Sequence, residues 1–182
     1  VKYKKTGEAG VGTAVFNAGT NQYQFTVNAD DYEGTYTIWC ADKANNQSAE
    51  KTVAVKMDKT APSVVSATAD KTDWTNGQVV ISGTVSDNLS GVKVVKYKKT
   101  GESTVKEATF YADTNQYQFT LDADNYEGTY TIYCEDKAGN QSAEKTVAVK
   151  MDKTKPYDTE LKCETSMWDA IIETVTFGLF HN

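Results

Sequence analysis

The chain repeats itself, and that constrains its fold more than any other feature. VKYKKTGE begins at Val1 and again at Val95, and a slide of 94 residues aligns 1–60 with 95–154 without a gap, identical at 47 of 60 positions. A period of that length is too long for a solenoid unit and matches one small domain. Residues 62–155 therefore read as one complete repeat. Residues 1–61 read as the last two-thirds of another, whose first 33 residues would lie upstream of Val1. The chain has no initiator Met and reads as a piece of a longer array, so the absence of a leader or wall anchor is uninformative.

Within the repeat the hydrophobic period is two, the period of strands. Val79, Ile81 and Val85 fall on one face and Ser82 and Thr84 on the other. Tyr117, Phe119 and Leu121 alternate with Gln116, Gln118 and Thr120, Tyr130, Ile132 and Cys134 with Thr129, Thr131 and Tyr133, and Val147, Val149 and Met151 with Ala148 and Lys150. One dry face and one wet face per strand is what antiparallel sheets allow. In VKVVKYKK the apolar phase slips between Val94 and Val95, which predicts a β-bulge. Turn signals rich in Gly, Asn, Asp and Ser separate the runs, and Pro62 and Pro156 stand at the repeat edges. Seven short strands with no helical stretch predict an all-β fold, a β-sandwich.

Composition removes several function classes. With 19 basic and 25 acidic side chains the net charge is −6, and nothing in such a chain would neutralise nucleic-acid phosphates. No apolar run reaches the length of a membrane span, so membrane insertion is not expected. The single histidine, His181, removes nearly every scheme that needs an imidazole. No P-loop, zinc-ligand spacing or nucleophile–base pair is present, so the chain reads as a non-enzyme.

The strings DKTAPSVVSATAD, SDNLSGVKVVKY and YEGTYTIYCEDKAGNQSAEKTVAVKMDKT resemble the bacterial immunoglobulin-like (Big-type) repeats of secreted and surface proteins. The matching elements are Asp58 through Pro62, Asp87 with Ser90-Gly91-Val92, Gly128-Thr129-Tyr130, and Asp136 through Asn140. The resemblance covers 1–156. It implies an immunoglobulin-like β-sandwich in tandem and extracellular or cell-surface modules, usually stalks or adhesin spacers of Gram-positive bacteria. In the first copy Asn45 replaces the expected Gly; Asn tolerates a left-handed backbone, so the turn should survive. Residues 156–182 form a connector that resembles those ahead of further modules in gut Firmicute surface proteins. A short helix capped by Thr165 or Ser166 and then a strand is one reading of it, and a frayed end is the other.

Acidic loops are the leading candidate site. In an immunoglobulin-like sandwich the loops around Asp87 and Asp136 lie at one end, and the incoming segment with Asp58 runs past it. Three carboxylates, with Asn88 as a helper, would offer hard oxygen ligands to calcium at the domain junction; the alternative is that the aspartates cap their own turns. Calcium is the only cofactor the residues suggest. A second candidate is an outward aromatic patch of Trp39, Tyr97 and Tyr133, a platform for a host glycan or protein. Tyr130 is expected to turn its hydroxyl onto the adjacent corner backbone. The KYKK runs read as a solvated strand edge that discourages aggregation. Cys40 and Cys134 read as small buried hydrophobes with no partner inside a repeat, and Cys163 as able to bridge only outside it.

Three functions follow: a spacer repeat with neighbouring repeats as its partners, an adhesin or carbohydrate-binding module, or an accessory domain of a secreted hydrolase. The first copy also poses a physical difficulty. Without counterparts of 63–70 and 78–86 its apolar faces have no cover. Residues 1–57 should be less ordered than 62–154 or pair with an added strand, with the Val175–Phe180 segment one donor.

Overall fold

The computed structural model describes residues 1–28, 31–122 and 125–157. The expected helix-and-strand connector, Cys163 and the Val175–Phe180 segment lie outside the described residues. Among those described there is no helix, and every paired strand is antiparallel.

The second copy contains nine strand segments: β7 (Ser63–Val64), β8 (Thr68–Ala69), β9 (Val79–Ser86), β10 (Val92–Lys99), β11 (Lys106–Glu107), β12 (Thr109–Tyr111), β13 (Gln116–Leu121), β14 (Tyr126–Asp136) and β15 (Lys145–Met151). They are the seven expected strands with two of them broken. β7 and β8 share β9 as partner, and β11 and β12 are separated only by Ala108. At Ala108 the chain crosses between sheets, its N–H donating to the Val95 carbonyl at 2.9 Å. One sheet runs β12–β13–β9–β7 and the other β11–β10–β14–β15. Ile81, Phe119, Ile132 and Val149, one residue from each of four strands, meet in one buried core with Val79, Val95, Leu121 and Met151. Alternation thus becomes a two-layered sandwich, because each strand has only one apolar face to bury.

The bulge in β10 lies at Lys93. Val92 pairs with Asp136 and Val94 with Glu135, so two steps on one strand match one on the other. The extra residue sits one position earlier than the sequence phase suggested, because Val95 must already be in register with Cys134. Nor is the KYKK segment an edge. β10 lies between β11 and β14, and its outward lysines are matched by carboxylates: Lys96 with Glu135 at 2.6 Å and Lys98 with Glu144 at 3.2 Å.

The first copy contains β1 (Lys2–Lys5), β2 (Val11–Thr13), β3 (Val15–Asn17), β4 (Gln22–Gln24), β5 (Tyr32–Trp39) and β6 (Lys51–Met57). Its sheet β2–β1–β5–β6 reproduces the second sheet of its neighbour, Ile38 facing Lys51 as Ile132 faces Lys145. The β3–β4 hairpin stands as a separate two-stranded ribbon. Asn45 has φ of 70°, in the left-handed region where its counterpart Gly139 sits at 96°, so the turn is kept as expected.

Candidate functional site

The three aspartates named from the sequence come together. Asp58, Asp87 and Asp136 each place a carboxylate oxygen within 4.8 Å of the other two. Each also serves its own turn. The Asp87 carboxylate accepts from the Leu89 N–H at 3.2 Å and the Gly91 N–H at 2.6 Å. Asp136 accepts from the backbone N–H groups of Gly139 and Asn140 and from the Asn140 side-chain amide at 2.7 Å. Burial raises the Asp136 carboxyl, but the Asn140 amide and the surrounding backbone N–H groups outweigh it and hold it below the usual carboxylate range. Among the described residues two buried polar atoms here have no hydrogen-bond partner, the Oδ1 of Asp87 and the Oγ of Ser90.

The connecting segment Asp58–Pro62 is tied to both copies. On the first side, Asp31 accepts from the Lys59 N–H at 2.6 Å and from the Thr60 hydroxyl. On the second side, Asp58 accepts from the Ser90 N–H at 2.8 Å, and the Asn140 amide donates to the carbonyls of Asp58 at 3.1 Å and Thr60 at 3.4 Å. Pro62 is buried at the start of the sandwich. The Asp31 carboxyl is held below its ordinary value, first by the Thr60 hydroxyl, then by the Lys59 N–H, with a further share from the Asn88 side chain.

Sequence reading missed Asp31 and Asn140 as clasp residues. The signal was in the repeat: Asp31 and its counterpart Asn125 precede the shared YEGTYTI. At the far end of the second copy the Asp31-side half of this clasp recurs, with the Lys153 N–H on Asn125 at 2.6 Å, the Asn125 amide on the Thr154 hydroxyl, and the Thr154 N–H on Asp152 at 2.8 Å.

The outward aromatic platform is not formed. Tyr97 points inward, 9% exposed, its ring stacked on Phe119 with centroids 3.7 Å apart. The one-residue offset explains this: Tyr97 faces Ile132, on the core side, and Lys96 faces Tyr133. Tyr133 is likewise only 9% exposed, and Trp39 is half-buried beneath the Lys4 ammonium, 5.4 Å from its ring. Tyr130 also differs from expectation. It packs in the core beside Tyr97 and Phe119, and burial pushes its hydroxyl up to about 12. The backbone bond belongs instead to Tyr126, whose hydroxyl donates to the Thr129 carbonyl at 2.9 Å across Gly128. A Cβ on Gly128 would lie 2.6 Å from that hydroxyl oxygen, so only glycine admits the ring there.

Cys134 is fully buried and burial raises its thiol, whereas Cys40 is exposed. Among the described residues neither cysteine is in a disulfide.

No protein-family model matches the sequence, and no curated protein is detectably similar to it. Among solved structures the chain is similar to the fibronectin(III)-like modules of CbhA from Clostridium thermocellum, at 14% identity and a TM-score of 0.41, over 87% of this chain and 82% of that one. It is also similar to the D00–D0 domain of intimin, at 15% identity and a TM-score of 0.30, over 82% and 74% of the two chains.

Proposed function

We propose that the chain is a non-catalytic spacer of tandem immunoglobulin-like repeats, working at a bacterial surface or in a secreted protein to hold a neighbouring module at a fixed distance and angle. The observation that carries this reading is the junction. A linker of a few residues would be a swivel if its polar groups met only water. Here Asp31 grips it from one side and Ser90 and Asn140 from the other. Hydrogen bonds to a charged carboxylate are stronger than those between neutral groups. Recurrence of the Asp31-side half of the clasp around Asp152–Thr154 fits a geometry meant to be propagated. The extracellular setting rests on the family resemblance of the sequence.

Small-angle scattering and residual dipolar couplings test this. The intact chain should show one inter-domain orientation, and Asp31→Ala with Asn140→Ala should broaden it while the second sandwich stays folded. Independent tumbling of the two copies in the unaltered chain would refute the spacer reading.

A second reading refines the first. A divalent cation, calcium by its preference for hard oxygen ligands, binds between Asp58, Asp87 and Asp136 and locks the junction. It is favoured by the buried Asp87 Oδ1, which lacks a donor and stands beside two further carboxylates. Titration calorimetry with CaCl2 should then give heat and a raised melting temperature, both lost in Asp87→Asn. No heat and an unchanged melt leave the aspartates as turn caps alone.

A further inference from the structure

The complete second copy holds a cleft that a spacer does not need. It opens where the ends of β10 and β13 meet β11 and β14, with a volume of about 470 Å³, a size common among small-molecule sites. Its floor is Leu121 with Tyr97 and Tyr130, at most 9% exposed. The two tyrosine rings pack in the core, and burial pushes both hydroxyls up, so they stay protonated donors at neutral pH. Neither hydroxyl has a hydrogen-bond partner among the described residues, and neither is sealed from solvent. Tyrosines buried to this extent usually find their hydroxyls a partner, and these two offer theirs to the cleft. The rim is charged. Lys98 is matched by Glu144 at 3.2 Å, and Lys99 lies 3.8 Å from Glu102 with its ammonium over the Tyr126 ring. Asp122 receives Lys153 at 2.5 Å and the Gln78 amide at 3.2 Å. Lys106 makes no ion pair among the described residues. It stands opposite Tyr97 in the strand pairing and so leaves the sheet on the same face. The surplus is one ammonium beside two hydroxyl donors.

We propose that this cleft binds an acidic sugar, its carboxylate held by Lys106 and the hydroxyls of Tyr97 and Tyr130. Charge-assisted bonds of this kind are the strong ones. The walls decide what carries the carboxylate. Glu102 and Asp122 are acceptors, with the Thr104 and Thr120 hydroxyls beside them. Both acids already face lysine ammonium groups, so they call for neutral O–H donors. A carboxylate surrounded by hydroxyls is a sugar acid of the uronic type. An amino acid would instead bring a second ammonium to carboxylates that are already matched. The chemistry is particular to the second copy. The copies differ at 13 of the 60 aligned positions, and four of these, Thr104, Lys106, Leu121 and Asp122, line the cleft, where the first copy has Gly10, Gly12, Val27 and Asn28. In the first copy the Tyr3 ring lies over Gly12. A Cβ there would lie 2.3 Å from the ring, so the tyrosine fills the space that a side chain like that of Lys106 needs. A spacer's geometry requires none of these exchanges, and a binding site confined to one copy requires them.

Titration of the full 182-residue, isotope-labelled chain with sodium glucuronate, followed by amide chemical shifts, tests this. Glucose, acetate and alanine serve as separate arms at matched ionic strength. Glucuronate should shift the amides of Tyr97, Lys106 and Leu121 with a Kd in the millimolar range, as a ligand of about a dozen non-hydrogen atoms allows. The matching amides of Tyr3, Gly12 and Val27 should not move. Glucose and acetate each carry part of the chemistry and should bind about tenfold more weakly or worse. Lys106 is exposed, so Lys106→Gln leaves the sandwich folded and should weaken glucuronate about tenfold or more. Tyr97→Phe and Tyr130→Phe keep the packed rings and should each weaken it about threefold or more. Four results would overturn the proposal: no shifts at tens of millimolar glucuronate, full affinity in Lys106→Gln, an equal response to glucose or acetate, or tighter binding of alanine than of glucuronate.

Discussion

Ile132 and Ile38 are the same residue in the same strand register, and the difference between them isolates what the second sheet contributes. Ile132 is 0% exposed in the core and Ile38 is half-buried. Ile132→Ala removes three carbons, each worth about 0.8 kcal/mol of transfer free energy, or roughly 2.4 kcal/mol. The residual cavity adds about 24 cal/mol per Å³, which brings the expected cost to about 3–4 kcal/mol. For a domain of this size that is a fall in melting temperature on the order of 15–25 °C. Ile38 is only half-buried, so Ile38→Ala removes less enclosed apolar surface and the cost should be about 1 kcal/mol. Trp39 lies in the first copy, where the second has Tyr133, and Trp74 lies in the second. Replacing Trp168 and then one or the other therefore lets urea unfolding be read by fluorescence for each copy in turn. Equal costs for the two substitutions would refute the argument that the difference in burial between Ile132 and Ile38 sets their contribution.

Other consequences can be measured in the same chain. Gly83→Ala forces a Cβ against the Ser66 carbonyl and displaces the Tyr117 hydroxyl, and should cost about 2 kcal/mol or more in urea unfolding of the second copy. Asp136 is held below its ordinary value when folded, so its contribution is present above about pH 4, the unfolded carboxyl value, and is lost as pH falls through the folded one. Acid melts of Asp136→Asn should accordingly show a weaker pH dependence than the parent. Tyr130 is raised to about 12, so its contribution is complete below the unfolded value near pH 10 and is lost as pH rises through the folded one. Tyr130→Phe should flatten the decline of stability in alkaline melts, and an unchanged slope would show the hydroxyl to be unprotected.

The 94-residue repeat and the period-two alternation were enough to define the all-β class and the inward faces of β9, β13, β14 and β15. They are local properties: which residues point one way along a strand follows from backbone geometry before any partner arrives. The turns were legible for the same reason, including Asn45 standing in for glycine. The convergence of Asp58, Asp87 and Asp136 was legible only through the family resemblance, because 78 residues of chain separate the first from the last.

Tertiary structure decided the rest. Tyr97 looked outward until the bulge at Lys93 fixed its pairing with Ile132 and turned it inward; a single inserted residue reverses a side chain's face, and its place is set by the opposing strand. Asp31 and Asn140 became clasp residues because a linker's hydrogen bonds are made to whatever the fold brings beside it. Identical segments also differ in burial, Tyr23 from Tyr117 and Cys40 from Cys134, since burial belongs to the assembled layers and not to the strand that carries the residue.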